Sequence, residues 1–428
     1  MLFSAQNFTN DTYLEGVERV PLGRRVVLGM AGLSLEAQHV SLADAGRLEY
    51  KEALRAAWED VCANVRLYKE AFPESEIVVD VSGGRDSRVV LAAALAVLGP
   101  EGFTIHTVDV AGSDDLAISL YIAEHFGLRY APGHASRTRL GDGQALGSWR
   151  SYMRGEYNVL GIGSTSSLGR SRRVRLSGGA GEVHRDFWAK IILGGNSESG
   201  ESIAEAAIGL ASRRDAVSKK LSAADQESLL EYVGKQFRED RQPLVEALDA
   251  HYLHYRNRAH FGQRRFSTLH DCYYGFPLLS RALYTASHSV AWTSRARGDV
   301  FDDLLKLYAP DLASIPYDGS REARKLSCGS EVRRDWTNAQ IAEPGVPVTV
   351  GPPMLSVDEE VELAVAEACA RLARASSPLV EVATALSEVY LQRLRSWPKN
   401  ARHVASAILA LDDAAYPWAS RKAWRAGG

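Results

Sequence analysis

The chain has 428 residues, 46% of them hydrophobic and 24% charged, which is typical of a soluble globular protein of about two or three domains. Its formal net charge of -3 gives no reason to expect a nucleic-acid partner, and a basic cluster such as Arg170 to Arg175 is interpreted as solvated surface. The four cysteines are scattered without a Cys-x-x-Cys pair, which argues against a disulfide framework and against a zinc site.

The N-terminal residues carry neither the basic stretch nor the long apolar core of a secretory signal peptide. No apolar run approaches the ~20 residues that a helix needs to cross a bilayer. Together with the scattered cysteines, these features predict a cytoplasmic protein that has no membrane partner.

Residues 1–45 contain brief apolar stretches punctuated by glycine, and this pattern predicts a small β-rich N-terminal piece of strands and turns. Residues 46–71 are predicted to be helical, because apolar side chains between Leu54 and Val65 recur at helical spacing. The chain is therefore expected to change from short strands to a long helix near residue 46.

Strands and helices alternate from residue 77 onward. The β-branched run Ile77 to Val81 predicts a buried strand, and the apolar stretch Arg88 to Leu98 predicts the helix after it. A second strand is predicted over Phe103 to Val108, a second helix over Leu116 to Phe126, and a third strand over Val174 to Leu176. This order predicts an α/β fold with a parallel sheet and flanking helices.

The α/β core is predicted to cover residues 46–200, and residues 201–428 are predicted to be mostly helical and to complete a substrate site. The helices expected beyond residue 200 are Ala204 to Arg213, Ala223 to Phe237, Pro243 to Ala259, Arg281 to Ala291 and Asp358 to Ala373. The proline-rich stretch from Ala342 to Pro353 is interpreted as a loop.

The most specific motif is the segment Ser-Gly-Gly-Arg-Asp-Ser at residues 82–87, here called the first loop, between a predicted strand and a predicted helix. Its two glycines allow successive N–H groups to turn toward one anion, and the helix start adds partial positive charge. Asp86 is itself negative, so its expected role is to hold Mg²⁺ against phosphate oxygens. A capped Gly-Gly turn is the structural alternative, and no Gly-Lys-Ser/Thr follows, as a Walker A loop would require.

The first loop resembles the Ser-Gly-Gly-x-Asp-Ser motif of the PP-loop ATP pyrophosphatases, which cleave ATP to AMP and pyrophosphate. Within that family the chain is most similar to the synthetase domain of asparagine synthetase and to its relatives, β-lactam synthetase and lasso-peptide cyclases. Three further segments carry the resemblance: Tyr13 to Gly23, Gly112 to Leu128, and Leu176 to Glu182, the last of which is here called the second loop. The implied fold is adenine nucleotide α-hydrolase-like.

The resemblance implies ATP and Mg²⁺ as cofactors, bound by the two loops and by the ends of the first two strands. The implied nucleotide-binding residues are Val81, Ser82, Gly83, Gly84, Asp86, Ser87, Val108, Asp109, Ser177, Gly178 and Gly179. Asp86 and Glu182 are the implied metal ligands. Val81 and Val108 are equally well explained as buried sheet residues.

Two positions depart from the family pattern. Asparagine synthetases begin with a catalytic Cys at position 2 of a glutaminase domain, whereas this chain has Leu2. We therefore expect the nitrogen to come from a free amine, from ammonia or from a separate amine-supplying protein. In the second loop, Gly181 stands where the family has its second Mg²⁺-binding Asp, and Glu182 either supplies this carboxylate or is a solvent-exposed loop acid.

Basic residues after residue 316 are candidates for binding pyrophosphate. In the family, a Lys beyond this region stabilises the leaving group and a later oxyanion, a task that requires a cation near developing negative charge. Lys325 is the expected residue, with Arg321 and Arg324 as rivals and a basic helix face as the structural alternative. Lys325, Arg321 and Glu182 form the predicted catalytic set.

Other basic side chains are less specific. Arg88 and Arg185 are candidates for orienting a carboxylate or phosphate, and both are equally well explained as structural ion pairs. His251, His254 and His260 are interpreted as packing residues, because their spacing does not place all three on one helical face.

The predicted function is that of an ATP-dependent ligase that adenylates a carboxylate, releases pyrophosphate, and passes the acyl group from AMP to an amine. The substrates expected are a small-molecule or peptide carboxylate and an amine, in the tailoring of a natural product or peptide. Two alternatives remain: a PP-loop sulfur-transfer enzyme, and a nucleotide-binding regulatory subunit with weak catalysis.

Overall fold

A computed structural model of the chain describes its central part and portions of both ends. The described residues are 18–21, 23–30, 32–37, 48–107, 113–130, 173–187, 245, 249–250, 252–262, 272–326, 357–374, 377–396, 404–405, 408–409 and 411–412. Two of the predicted helices, Ala204 to Arg213 and Ala223 to Phe237, lie outside this set.

An antiparallel hairpin occupies part of the N-terminal region, as the punctuated apolar stretches predicted. Strand β1 (Arg24–Gly29) pairs with strand β2 (Gly32–Ala37), and Arg25 on β1 forms a 2.8 Å ion pair with Glu36 on β2. Nearly every residue of both strands is exposed, so the hairpin adds little to the core.

A five-stranded parallel sheet forms the centre of the molecule, which confirms the predicted α/β class. Its strands are β3 (Glu76–Asp80), β4 (Thr104–His106), β5 (Arg129–Tyr130), β6 (Arg173–Leu176) and β7 (Tyr273–Gly275). The spatial order is β5-β4-β3-β6-β7, and all pairs are parallel. Strand β3 is therefore central, and the segment that follows it begins at the carboxyl edge, where open α/β sheets bind ligands.

Helices flank this sheet and form most of the described second half of the chain. Those of the first half are α1 (Tyr50–Ala71), α2 (Arg85–Leu98) and α3 (Asp115–Phe126). Those of the second half are α4 (Arg281–His288), α5 (Trp292–Arg297), α6 (Asp299–Tyr308), α7 (Pro310–Ser314), α8 (Val357–Leu372) and α9 (Ser377–Ser396). Residues 252–262 form a π-helix, and short 3₁₀ segments cover residues 100–102, 181–184 and 323–325. No helix in these described parts is both long and apolar enough to cross a membrane.

Helix α2 is almost wholly apolar because it is enclosed. It packs against α1 on one side and α6 on another, and Val89 through Ala94 are buried. Burial of this kind is worth about 1.5–3 kcal/mol for each large aliphatic side chain. The helix start, which carries the end of the first loop, therefore rests on a rigid support.

The structure corrects several predicted boundaries. Helix α2 begins at Arg85 and not at Arg88, so Asp86 and Ser87 belong to its first turn. The second strand is limited to Thr104–His106, shorter than the predicted Phe103 to Val108. Sequence reasoning missed β5 and β7, because runs of two and three residues show no periodicity, and β7 falls in the region predicted to be helical.

Candidate functional site

The first loop is tied together by the hydroxyl groups at its two ends. Ser87 Oγ accepts a hydrogen bond from the Ser82 N–H at 3.1 Å and lies 2.9 Å from Ser82 Oγ. Ser82 Oγ in turn accepts from the Gly84 N–H at 3.2 Å. The two serines thus fix the turn that leads from β3 into α2.

The remaining glycine N–H of this loop donates to a carboxylate of the protein. The Gly83 N–H lies 2.6 Å from Oδ1 of Asp115, the first residue of α3. The N–H groups of Ser82, Gly83 and Gly84 are therefore all bonded internally, whereas the sequence predicted that such groups face a phosphate. The Asp115 carboxylate takes the place at the Gly83 N–H where a bound anion was expected, and the sequence did not single out this residue.

The second loop lies directly against the first turn of α2, at a distance that only glycine permits. A Cβ atom at Gly178 would lie 2.7 Å from the Ser87 N, and one at Gly181 would lie 2.4 Å from Asp86 Cγ. Ser177 Oγ accepts from the Gly179 N–H at 3.2 Å and shapes the start of this loop. The two loops predicted from separate parts of the sequence do meet.

Asp86 stands where the two loops meet. Its Oδ2 lies 2.7 Å from the guanidinium of Arg185, while its Oδ1 is buried and has no hydrogen-bond partner among the described residues. Burial, reinforced by the negative charge of Glu182, raises the pKa of Asp86 to about 6, although Arg185 opposes the shift. A buried carboxylate oxygen without a donor is a position that a cation can fill.

The negative charge of Glu182, on the second loop, contributes to the raised pKa of Asp86. Glu182 is only partly buried, and its Oε2 accepts a hydrogen bond from the hydroxyl of Tyr252 at the start of the π-helix. Because a Cβ at Gly181 would overlap the Asp86 carboxylate, residue 181 has no room for the Asp that the family places there. Within this arrangement, Glu182 is the carboxylate that can complete a site with Asp86.

The strand ends beside the first loop are ordered by short polar contacts. Val81 is buried, its N–H donates to the His106 carbonyl at 2.8 Å, and its own carbonyl accepts from the Thr107 hydroxyl at 2.9 Å. Val108 and Asp109, the predicted nucleotide contacts on the second strand, lie outside the described residues.

A charged row crosses the sheet just below these strand ends. Arg175 on β6 donates to Asp80 on β3 at 2.5 Å and lies 2.8 Å from Nδ1 of His106 on β4. Burial opposes ionisation of Asp80, but Arg175 and His106 hold the pKa of this carboxyl below its usual range. The row fixes three adjacent strands under the first loop, so the interpretation of the basic cluster as solvated surface is wrong for Arg175, whose charge is paired with Asp80 within the sheet.

Arg88 does not reach a substrate position, contrary to the role suggested by its sequence. It is fully buried, and its guanidinium donates to carbonyls of Leu312, Ile315, Pro316 and Gly83. Burial lowers its pKa to about 10. Arg88 therefore fastens the segment after α7 to the first loop.

Asp318 provides a further contact between this segment and the first loop. Its N–H donates to the Gly83 carbonyl at 3.1 Å, and its Oδ1 accepts from the Asp114 N–H at 2.9 Å. The predicted catalytic residues Arg321 and Lys325 follow on the same segment, and both have exposed side chains. The segment that carries them thus passes beside the first loop, which it contacts through the Asp318 N–H and through the Tyr317 ring, whose centre lies 4.3 Å from the guanidinium of Arg85.

Three elements of the predicted site are therefore assembled in one place: the first loop, the second loop, and Glu182 close to Asp86. Searches of protein-family models and of curated proteins found no match to this chain.

Proposed function

We propose that this protein is an ATP-dependent ligase that forms AMP and pyrophosphate and joins a carboxylate to an amine. The observation that carries this proposal is the placement of Asp86 between two glycine-rich loops at the carboxyl edge of a central parallel strand, with one buried carboxylate oxygen lacking a donor among the described residues. The resemblance of the first loop to the PP-loop motif supplies the type of nucleotide cleavage.

Asp86 and Glu182 are the residues that would hold Mg²⁺. The donor set fits this ion, because Mg²⁺ is usually bound by one or two carboxylates together with substrate phosphates. When bound, Mg²⁺ neutralises charge on the phosphate oxygens. Arg185 now neutralises Asp86, and its guanidinium becomes available to a phosphate when that ion pair is released.

The first loop and the start of α2 would bind the phosphates of ATP. The hydroxyls of Ser82 and Ser87 are donors, and the helix N-terminus favours negative charge. The Gly83 N–H joins them once Asp115 releases it. Arg321 and Lys325, with exposed cationic side chains, are our candidates for binding the pyrophosphate as it leaves.

The proposed reaction has two steps. A substrate carboxylate oxygen attacks the α-phosphorus of ATP, the bond from that phosphorus to the bridging oxygen breaks, and pyrophosphate leaves. An amine then attacks the carbonyl carbon of the acyl-adenylate, loses a proton, and displaces AMP to give an amide. The substrates we propose are a small-molecule or peptide carboxylate and an amine, which a separate protein can supply.

Sulfur transfer, the alternative that uses the same adenylation, is disfavoured by two of the three described cysteines. Cys62 is on the buried face of α1, and burial raises the pKa of its thiol to about 11, so it is not a thiolate at neutral pH. Cys272 is also buried. A nucleotide-binding subunit without turnover is the second candidate, and the Asp86–Arg185 ion pair favours it, because this pair leaves the proposed metal ligand already neutralised.

Two measurements separate these functions. Binding of α,β-methylene-ATP with and without Mg²⁺ tests the nucleotide site, and ATP–pyrophosphate exchange with pooled amino acids and carboxylic acids tests adenylation. We expect Mg²⁺-dependent binding and exchange in the wild type, and a loss of exchange of at least about 1,000-fold in Asp86→Ala.

The matched control is Asp311→Ala, which removes an exposed carboxylate from α7 and should leave both measurements unchanged. Nucleotide binding without exchange in any pool would support the non-catalytic subunit. Absence of Mg²⁺-dependent nucleotide binding would rule out both candidates.

A further inference from the structure

A second cluster of ionisable side chains lies beyond the second loop and has no role in the proposed reaction. Asp186 follows the 3₁₀ segment of that loop, Asp249 precedes the π-helix, and His288 ends α4. Each of these three residues has one side-chain atom that could ligate a metal ion, and these three atoms lie within 4.8 Å of one another. Arg295 on α5 borders the group.

His288 is oriented as metal-binding histidines usually are. Its Nδ1 lies 3.0 Å from the Tyr284 carbonyl oxygen and 3.1 Å from Ser287 Oγ, and because the Ser287 hydroxyl donates to the same carbonyl at 2.9 Å, we assign the ring proton to Nδ1. In the neutral imidazole, Nε2 then holds the lone pair, and this atom faces Asp249 Oδ2 at 3.7 Å. A backbone carbonyl that fixes the tautomer in this way is a common outer contact of metal-ligating histidines.

Asp186 offers one free oxygen to the cluster. The residue is fully buried, its Oδ2 accepts from Arg295 Nε at 2.8 Å, and no donor among the described residues reaches its Oδ1. Burial, and next the adjoining carboxyl of Asp249, raise the pKa of Asp186 to about 8.

The distance between His288 and Asp249 fits a shared cation better than a direct hydrogen bond between these two side chains. A protonated imidazole draws a carboxylate oxygen to about 2.7–2.9 Å, which is much shorter than the observed 3.7 Å. Two ligand atoms at about 2.0–2.1 Å from one tetrahedral ion lie roughly 3.3 Å apart. Arg295 holds Oδ2 of Asp186 at 2.8 Å and is anchored by the Val290 carbonyl at 3.0 Å, while its Nη2 lies 3.5 Å from Asp249 Oδ2, a longer contact that an ion bound to this oxygen would replace.

The geometry points to a binding site for a divalent first-row transition ion such as Zn²⁺, with Asp186, Asp249 and His288 as its protein ligands. One imidazole with two carboxylates suits Zn²⁺ or Mn²⁺ better than Mg²⁺, which prefers oxygen ligands and keeps several waters. The three ligands come from separate segments, so the ion would join the end of the second loop to α4 and to the chain before the π-helix. Its role is structural.

The test begins with the full chain freed of metal by dialysis against EDTA and titrated with Zn²⁺ by calorimetry in the absence of nucleotide. We expect one saturable site, and a rise in the melting temperature when Zn²⁺ is in excess. His288→Asn keeps a nitrogen donor for the Tyr284 carbonyl but removes the Nε2 ligand, and it should bind Zn²⁺ at least about 100-fold more weakly.

Two controls accompany this variant. His125→Asn removes an exposed imidazole from α3, and Asp86→Asn removes the proposed Mg²⁺ ligand; both should keep the Zn²⁺ affinity of the wild type. Wild-type affinity in His288→Asn, or no saturable Zn²⁺ binding at all, overturns the proposal.

Crystals of the wild type soaked in Zn²⁺ give a readout that does not depend on any variant folding. Anomalous scattering at the zinc edge should show a peak between Asp186, Asp249 and His288. A crystal with no peak at this position refutes the site. Failure of ATP–pyrophosphate exchange has no bearing on either measurement, so the two proposals stand or fall separately.

Discussion

The two glycine-rich loops meet at Asp86 but are held in different ways. The first loop is held by hydrogen bonds, since Ser82 and Ser87 bond each other and the backbone between them, and the Gly83 backbone bonds Asp115 and Asp318 outside the loop. The second loop is held by close approach, because its glycines at 178 and 181 leave no room for a Cβ beside α2. Hydrogen bonds within a loop are a property of a short peptide, whereas close approach depends on two distant segments.

This difference predicts how each loop responds to substitution. A loop tied by its own hydroxyls loses a defined hydrogen-bond energy when one is removed. A loop whose close packing depends on glycine loses stability sharply when a side-chain atom is added. Four changes test the comparison, beginning with the largest expected effect.

Arg88→Met should lower the free energy of unfolding by about 3–5 kcal/mol, because the buried guanidinium donates to the Gly83 carbonyl in the first loop and to the Leu312 carbonyl in α7. The loop is tied locally, but the position of its helix depends on this residue. Urea denaturation measures the change. The surface variant Arg55→Met on α1 is the control and should stay within about 0.5 kcal/mol, so an equal loss in both would contradict the assignment.

Gly181→Ala should cost about 2–3 kcal/mol, since its Cβ would lie 2.4 Å from Asp86 Cγ. Gly181→Asp, which adds the residue of the resembled family, should be worse and not better. The same variants should weaken Mg²⁺-dependent nucleotide binding by at least about 10-fold. Gly262→Ala, where a Cβ meets nothing within 4 Å, is the matched control. Improved binding in Gly181→Asp would show that the loop has room for a second aspartate.

His184 makes the stability of the second loop depend on pH. Burial lowers its pKa to about 4, although its bond to the Leu278 carbonyl opposes the shift. The unfolded chain therefore binds more protons than the native chain between about pH 6.5 and 4, and stability falls as the pH falls through this window. We expect a loss on the order of 2–3 kcal/mol relative to His184→Gln, which keeps a donor for Leu278 but does not titrate. If the free energies of unfolding of the two proteins change with pH in parallel, titration of His184 is not the cause of the pH dependence.

Ser87→Ala should cost about 1–2 kcal/mol, because the Ser82 N–H loses its acceptor inside the first loop. Ser314→Ala, which removes an exposed hydroxyl bonded only to the preceding turn in the described structure, should change stability by less than about 0.5 kcal/mol. Thermal unfolding of the two variants gives the comparison. An equal effect would mean that the hydroxyl pair does not hold the loop.

The parts of the fold that were predicted correctly are those set by local sequence. The strand before the first loop and the apolar helix after it have the lengths and residue types of buried elements, and both are present as β3 and α2. Strand β7 was missed because three residues, Tyr-Tyr-Gly, show no period and pair with β6, about 100 residues earlier in the chain.

The candidate site likewise contains residues that local sequence identifies and contacts that depend on distant segments. Asp86 was identified from the hexapeptide that contains it, but the partners of its carboxylate depend on tertiary contact. Arg88 is similar in sequence context to a ligand-binding residue, yet three of its four carbonyl acceptors lie more than 220 residues away, in α7 and the segment after it. Asp115, 32 residues from Gly83, was unremarkable in sequence for the same reason.

The bond between Asp115 and the Gly83 N–H would make the proposed nucleotide binding an exchange of anions. A phosphate oxygen reaches this N–H only from the conformation in which the carboxylate has moved away, so apparent affinity equals intrinsic affinity multiplied by the open fraction. Each factor of ten in favour of the closed form raises the apparent dissociation constant tenfold. Helix α3, which begins at Asp115, thereby becomes sensitive to whether the first loop is filled, although it lies outside the two glycine-rich loops.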